Sequence, residues 1–199
     1  GFRWPTVCNS VADESTARLH EFNAQNLANT AWALSSLGFE ASSAFFDAFS
    51  VQATTRTNEF NPQNLANTAW AYAKSGVHAP RVFRALAVSA RSRIGDFKPQ
   101  ELANLVWALA TVRFVDTDEA SALFEAVARQ ARCSKLLREF NAQELSNTAW
   151  ALAADGKESS THYEAVAAPP INRQRAVSCR WGRARPRRVS MLLSFFELS

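Results

Sequence analysis

Glycine is scarce, with 6 in 199 residues. A phosphate-cradling loop needs several glycines close together so that backbone can approach the ligand, and no such run occurs; GxSxG, HExxH and a repeated carboxylate pair are missing as well. The expected class is therefore a non-enzyme, with no cofactor and no small-molecule substrate. Cysteine is also sparse: Cys8, Cys133 and Cys179 are an odd count, far apart and without a CxxC pair. Nothing in that spacing suggests a disulfide framework or a zinc site, and reduced intracellular thiols are expected. His20, His78 and His162 have no ligand spacing, so no metal is expected. No window reaches the roughly 18 uncharged apolar residues of a membrane span. Methionine occurs once, at Met191. The opening GFRWPTVCNS has no initiator Met, no apolar signal core and no Arg/Ser-rich leader, and it starts partway through a repeat, so a fragment of a longer array is expected.

Charge is present but unevenly placed. The chain carries +4, yet Ile171 to Ser199 holds seven arginines and one acid, or +6, which leaves −2 for residues 1–170. The basic character belongs to the C-terminal segment. Arg183, Arg185, Arg187 and Arg188 there are candidates for sequence-blind phosphate contacts through counterion release. The same composition also fits a solvated, disordered tail ending in the apolar patch Met191–Phe196.

What dominates the chain is a phrase written four times: EFNAQNLANTAWAL from Glu21, EFNPQNLANTAWAY from Glu59, DFKPQELANLVWAL from Asp96 and EFNAQELSNTAWAL from Glu139. The starts lie 38, 37 and 43 residues apart. Self-similarity at that period marks a stacked array in which each unit buries its apolar face only against its neighbours.

Each phrase opens with helix-start signals. Asn23, Asn61 and Asn141 stand at the N-cap, Pro62 and Pro99 at the first helical position, and Phe22, Phe60, Phe97 and Phe140 pair with Leu27, Leu65, Leu102 and Leu145 as hydrophobic staples. Lys98 is a poor cap, and the third helix is expected to fray. Gly38, Gly76 and Gly156 suit a left-handed stop, whereas Arg113 stands at that place in the third copy, which must end another way. On a 3.6-residue wheel Leu27, Ala28, Ala31, Trp32, Leu34 and Ser35 share one side, with Gln25, Asn26, Asn29 and Thr30 on the other. A second helix follows, marked by Phe46, Phe83, Phe124 and Tyr163. The expected fold is all-α, an α-solenoid of helix-hairpin repeats of about 38 residues. Residues 1–20 would end a preceding repeat; 21–58, 59–95 and 96–138 would form three repeats; 139–168 a fourth, truncated at Pro169-Pro170; and 169–199 the tail.

The phrase QNLANTAWAL, with its copies at Gln63–Tyr72, Gln100–Leu109 and Gln143–Leu152, resembles the octotricopeptide-repeat proteins of algae, and more loosely the repeat region of FAST-kinase-like proteins. The likeness covers roughly residues 5–168 and is specific in the first helix of each unit. It implies a partner, single-stranded RNA, and a place in mitochondrial or chloroplast RNA processing, stability or translation. Members often carry a C-terminal RAP domain, and nothing after Ile171 resembles one. A protein-interaction scaffold with a helical-repeat groove is the competing expectation, which the −2 of the array favours.

Candidate contact residues follow from the phrase. Trp32, Trp70, Trp107 and Trp150 are expected to fill the core between repeats rather than to stack on bases. Gln25, Gln63, Gln100 and Gln143, with Asn29, Asn67, Asn104 and Asn147, form an i, i+4 amide stripe. It reads either as an RNA-facing ladder or as an internal one that satisfies backbone groups; because it does not vary, scaffold or a sequence-blind backbone clamp is the expectation. Base discrimination is expected where copies differ: Asn26, Asn64, Glu101 and Glu144, and beside them Thr30, Thr68, Leu105 and Thr148. Glu101 and Glu144 equally suit an N-terminal capping role.

Overall fold

The computed structural model describes residues 4–37, 43–115, 117–133 and 136–154. All belong to one compact unit, residues 1–169. Gly38, Gly156, the fourth repeat's second-helix marker Tyr163 and the arginine-rich segment lie outside the described residues.

The architecture is all-α. Its helices are α1 (Trp4–Ala17), α2 (Ala24–Ser36), α3 (Ser43–Thr55), α4 (Pro62–Lys74), α5 (Pro80–Ser92), α6 (Pro99–Thr111), α7 (Asp118–Cys133), the short α8 (Leu136–Glu139) and α9 (Ala142–Ala154). Two layers result. The helices carrying the repeated phrase, α2, α4, α6 and α9, pack one on the next to form layer A; α1, α3, α5 and α7 pack in the same order as layer B. The helices α2 and α3, α4 and α5, and α6 and α7 are successive hairpins, so the unit is a helical-repeat stack. Among the described residues no helix is long and apolar enough to cross a membrane.

The caps form as the residues dictate. Asn23, Asn61 and Asn141 Oδ1 accept the amide hydrogens of Asn26, Asn64 and Glu144 at 2.8, 2.8 and 2.9 Å. Lysine has no acceptor, so Lys98 caps nothing through its side chain. Glu101 supplies half a cap instead, its Oε2 accepting the Lys98 amide at 2.8 Å. At the other end, Gly76 takes φ 65°. The Gly76 amide donates to Ala73 O at 3.2 Å and the Val77 amide to Tyr72 O at 3.1 Å, which is the Schellman stop. The expectation that the third copy ends differently is corrected: Arg113 adopts φ 57°. Its amide reaches Ala110 O at 3.1 Å and the Phe114 amide reaches Leu109 O at 2.9 Å, the same bond pattern. The two-layer stack fixes where the chain must reverse, and a non-glycine residue there bears the left-handed strain.

The core runs between the layers. Phe45, Phe46, Phe49, Tyr72 and Phe83 are fully buried. Most of their rings meet edge-on or tilted, as in Phe46–Tyr72 at 4.8 Å and Tyr72–Phe83 at 6.1 Å, while Phe45 and Phe49 stack at 5.7 Å. The Tyr72 hydroxyl bonds Ser50 Oγ at 2.8 Å and Phe46 O at 3.2 Å, which satisfies the one polar atom the ring brings inside. Burial holds its pKa well above the ordinary phenol value. The staples join this core in three copies; Leu145 in α9 remains exposed.

Polar ties lock the first repeat to the second. Ser35 Oγ bonds Ala71 O at 3.0 Å and Ser75 Oγ at 2.8 Å across α2 and α4. Short 3₁₀ turns, Leu19–Glu21, Thr57–Glu59 and Ile94–Asp96, connect layer B to layer A, while α8 serves before α9. Arg56 braces one of them, its guanidinium holding Glu59 at 2.7 Å and donating back to Phe22 O at 2.8 Å.

Candidate nucleic-acid interface: a repeated amide and tryptophan ridge

Residues at i, i+4 and i+7 of a helix share a face. Each A helix therefore aligns a Gln, an Asn and a Trp: Gln25–Asn29–Trp32, Gln63–Asn67–Trp70, Gln100–Asn104–Trp107 and Gln143–Asn147–Trp150. All four Gln are exposed, Asn29 is exposed, and Asn67, Asn104 and Asn147 are half-buried. The exposed Gln positions do not form an internal ladder, while Asn67, Asn104 and Asn147 are partly covered. Within the stripe Gln143 Nε2 donates to Asn147 Oδ1 at 2.8 Å, an interaction along one helix rather than between repeats. The next residue on this face is Ser36, Lys74, Thr111 or Ala154, all exposed.

The expectation of core tryptophans is corrected for Trp32 and Trp150 and met in part by Trp107, which packs against the core. Trp32 is 47% and Trp150 38% exposed, while Trp70 and Trp107 are half-buried. The wheel neighbours of Trp32, namely Ala28, Ala31 and Ser35, are buried, so that ring sits where the packed arc meets solvent, whereas Ser146 and Ala153 beside Trp150 are exposed. Trp32 and Trp70 lean on each other across the repeat boundary, centroids 6.1 Å apart and planes tilted 35°. A tryptophan can bury 150–250 Å², so leaving nearly half in water forgoes about 2–3 kcal/mol of burial at the usual coefficient.

The positions nominated for base discrimination fare differently. Asn26, Glu101 and Glu144 turn back onto their own helix starts, accepting the amides of Asn23, Lys98 and Asn141 at 3.3, 2.8 and 2.8 Å. Their variation is variation among capping residues. Asn64 is only 5% exposed. Thr68 and Thr148 are buried, at 0% and 2%, and so is Leu105; only Thr30 keeps partial exposure. Helix α2 is also the one with no A-layer neighbour before it among the described residues, so the burial comes from the preceding A helix. Exposed readout at Asn64, Thr68 and Thr148 is corrected accordingly. Arg183, Arg185, Arg187 and Arg188 lie outside the described residues.

Among the described residues no group of three or more His, Cys, Asp or Glu is placed to hold a metal ion. An open groove of about 550 Å³ runs along α1, lined by Val7, Val11, Glu14, Arg18 and Phe22 among others.

Stacked hairpins with a periodic ridge of amides and rings define an α-helical repeat array built to present a surface. Residues 5–132, from α1 to the end of α7, match the family described as Tbc2 translation factor, N-terminal domain. That stretch is more than half of the chain, and the chain belongs to this family. No curated protein matches it.

Proposed function

We propose that this protein is a modular RNA-binding helical-repeat protein of the octotricopeptide type, acting in mitochondrial or chloroplast RNA processing, stability or translation. The observation that carries the reading is the Gln–Asn stripe repeated on all four A helices, its Gln exposed in every copy and its Asn exposed or half-buried. An amide ladder offers donors and acceptors at regular intervals without selecting a base, as a clamp on a single strand requires. The translation-factor description of the family and the likeness of QNLANTAWAL to octotricopeptide repeats support the same partner.

The test is filter binding of the full chain to pooled single-stranded RNA at two salt concentrations. A variant with Arg183, Arg185, Arg187 and Arg188 all changed to Ser runs beside it. Both chains should bind, the variant with a shallower salt dependence. No detectable binding by either at low salt removes the proposal and leaves the protein-scaffold alternative. Binding by the arginine-bearing chain alone assigns the affinity to the tail and none to the repeats.

A further inference from the structure

We infer that Trp32, Trp70, Trp107 and Trp150 are stacking platforms for unpaired nucleobases, one ring per repeat; this rests on the RNA-binding reading above and names the contact that would supply its affinity. Three observations carry it. First, the rings occupy the same edge position in every A helix: Trp32 and Trp150, on the first and last A helices of the described stack, are 47% and 38% exposed, and Trp70 and Trp107 between them keep partial exposure. Most of the buried work of each helix is done by residues such as Leu27, Ala31 and Leu34, so the rings are left at the edge, Trp107 alone among them packing against the core cluster. Second, each ring lies one helical turn from a Gln–Asn pair, so every repeat presents a π-face flanked by hydrogen-bonding amides. A nucleotide offers the matching set: a flat ring with donors and acceptors on its edge. A protein helix docking there would leave the amides facing apolar side chains, at a desolvation cost in each repeat. Third, the ridge is nearly free of charge, with Lys74 the only ionised side chain among its Gln, Asn, Trp and following positions. Affinity from this face must then come from stacking more than from phosphate neutralisation, and stacking is sequence-tolerant because every base has a π-face.

The Trp32–Trp70 geometry restricts the mode. With centroids 6.1 Å apart and a 35° tilt, the rings already touch, so a base cannot slide between them and would lie on an outer ring face. The two rings act as one composite platform.

The experiment uses the full chain with two ligands, a single-stranded oligouridylate and a ribose-phosphate strand of equal length without bases, followed by fluorescence anisotropy. The wild-type chain should bind the oligouridylate more tightly than the baseless strand. Trp32→Leu and Trp150→Leu should each weaken oligouridylate binding on the order of 5- to 150-fold, whereas Trp32→Phe and Trp150→Phe should stay near wild type. Thermal melting of all four variants establishes that they fold. Should the Leu variants fail to fold, the comparison of the two strands on the wild-type chain decides alone. Equal binding of the two strands, or Leu variants that bind as tightly as wild type, overturns the stacking role while leaving RNA binding through the amides intact. A wild-type chain that binds neither strand at low salt overturns the RNA-binding reading and the platforms with it.

Discussion

Thr68 is the sharpest place to test whether the packing between repeats is understood. Its side chain is fully buried and its hydroxyl has no hydrogen-bond partner. The third repeat carries Leu105 at the same position, equally buried, so the surroundings accept an apolar group there. Replacing Thr68 with Val keeps shape and β-branching, changes helix propensity little, and removes an uncompensated hydroxyl that costs about 1–3 kcal/mol when buried alone. We expect Thr68→Val to stabilise the chain by about 1–2 kcal/mol, which at this size shifts Tm upward by roughly 2–8 °C. Urea unfolding followed by circular dichroism measures it, with the m-value unchanged. Thr30→Val is the internal control: the same substitution at the same repeat position, but half-exposed, should lie within about 0.5 kcal/mol of zero. RNA affinity should be untouched by either change, because neither side chain belongs to the ridge. A destabilised or unchanged Thr68→Val would mean the hydroxyl is satisfied after all, and the account of the A-helix contact would be wrong.

The left-handed stops give opposite signs: Gly76→Ala should destabilise by about 1–2 kcal/mol and Arg113→Gly should stabilise by a similar amount before the extra freedom of glycine in the unfolded chain is subtracted. A Cβ at Gly76 meets nothing within 4 Å, so the loss in the first variant reports backbone strain alone in a thermal melt. Asn61→Ala removes the acceptor of the Asn64 amide and should cost about 1 kcal/mol in urea, more than Lys98→Ala, which removes no side-chain cap. Hydrogen bonds from Arg56 and Arg18 hold the carboxyls of Glu59 and Glu21 below the ordinary carboxylate range. A depressed folded-state pKa contributes stability that is present above the unfolded value and lost as pH falls through the folded one. Urea midpoints should therefore drop on acidification through and below the usual carboxylate range, and less steeply in Glu59→Gln. Lys74→Ala, made in the chain lacking the four tail arginines, should reduce the slope of log affinity for single-stranded RNA against log salt by about 0.7, the value for one lost phosphate contact, and an unchanged slope would take Lys74 off the path of the strand.

The sequence was most informative where physics acts within one helix. Asn23, Asn61 and Asn141 are caps because a short amide side chain one residue before a helix reaches an orphan amide hydrogen whatever surrounds it. The buried set Leu27, Ala28, Ala31, Leu34 and Ser35 follows from the 3.6-residue period alone. It was least informative where a second helix decides. Trp32 lies at the edge of the apolar arc, and whether an edge residue is covered depends on how closely the neighbouring A helix approaches, which no single-helix wheel contains. Thr68 stands among polar letters and looks exposed, yet the preceding helix covers it; Leu105 at the same place was the available clue. Arg113 shows a third kind of limit. The stop is demanded by where the hairpin must turn, and residue preference only sets the strain with which it is met.

Letters that never change between copies have two explanations, and the sequence by itself does not divide them. A scaffold residue is fixed because every repeat packs alike; a residue touching the monotonous part of a polymer is fixed because every unit of that polymer is alike. Burial separates the two cases. The invariant Leu is packing, fully buried as Leu27, Leu65 and Leu102 and exposed only as Leu145, on the last A helix of the described stack. Gln25, Gln63, Gln100 and Gln143 are invariant and exposed, and no packing constraint reaches them. The same reasoning weakens the idea that varied letters read bases, since Asn26, Glu101 and Glu144 vary among residues that all do one job, accepting an amide at the helix start. Of the letters that vary, Asn26, Glu101 and Glu144 are occupied by capping and Thr68, Leu105 and Thr148 are buried, so the exposed variation left on this face is Ser36, Lys74, Thr111 and Ala154.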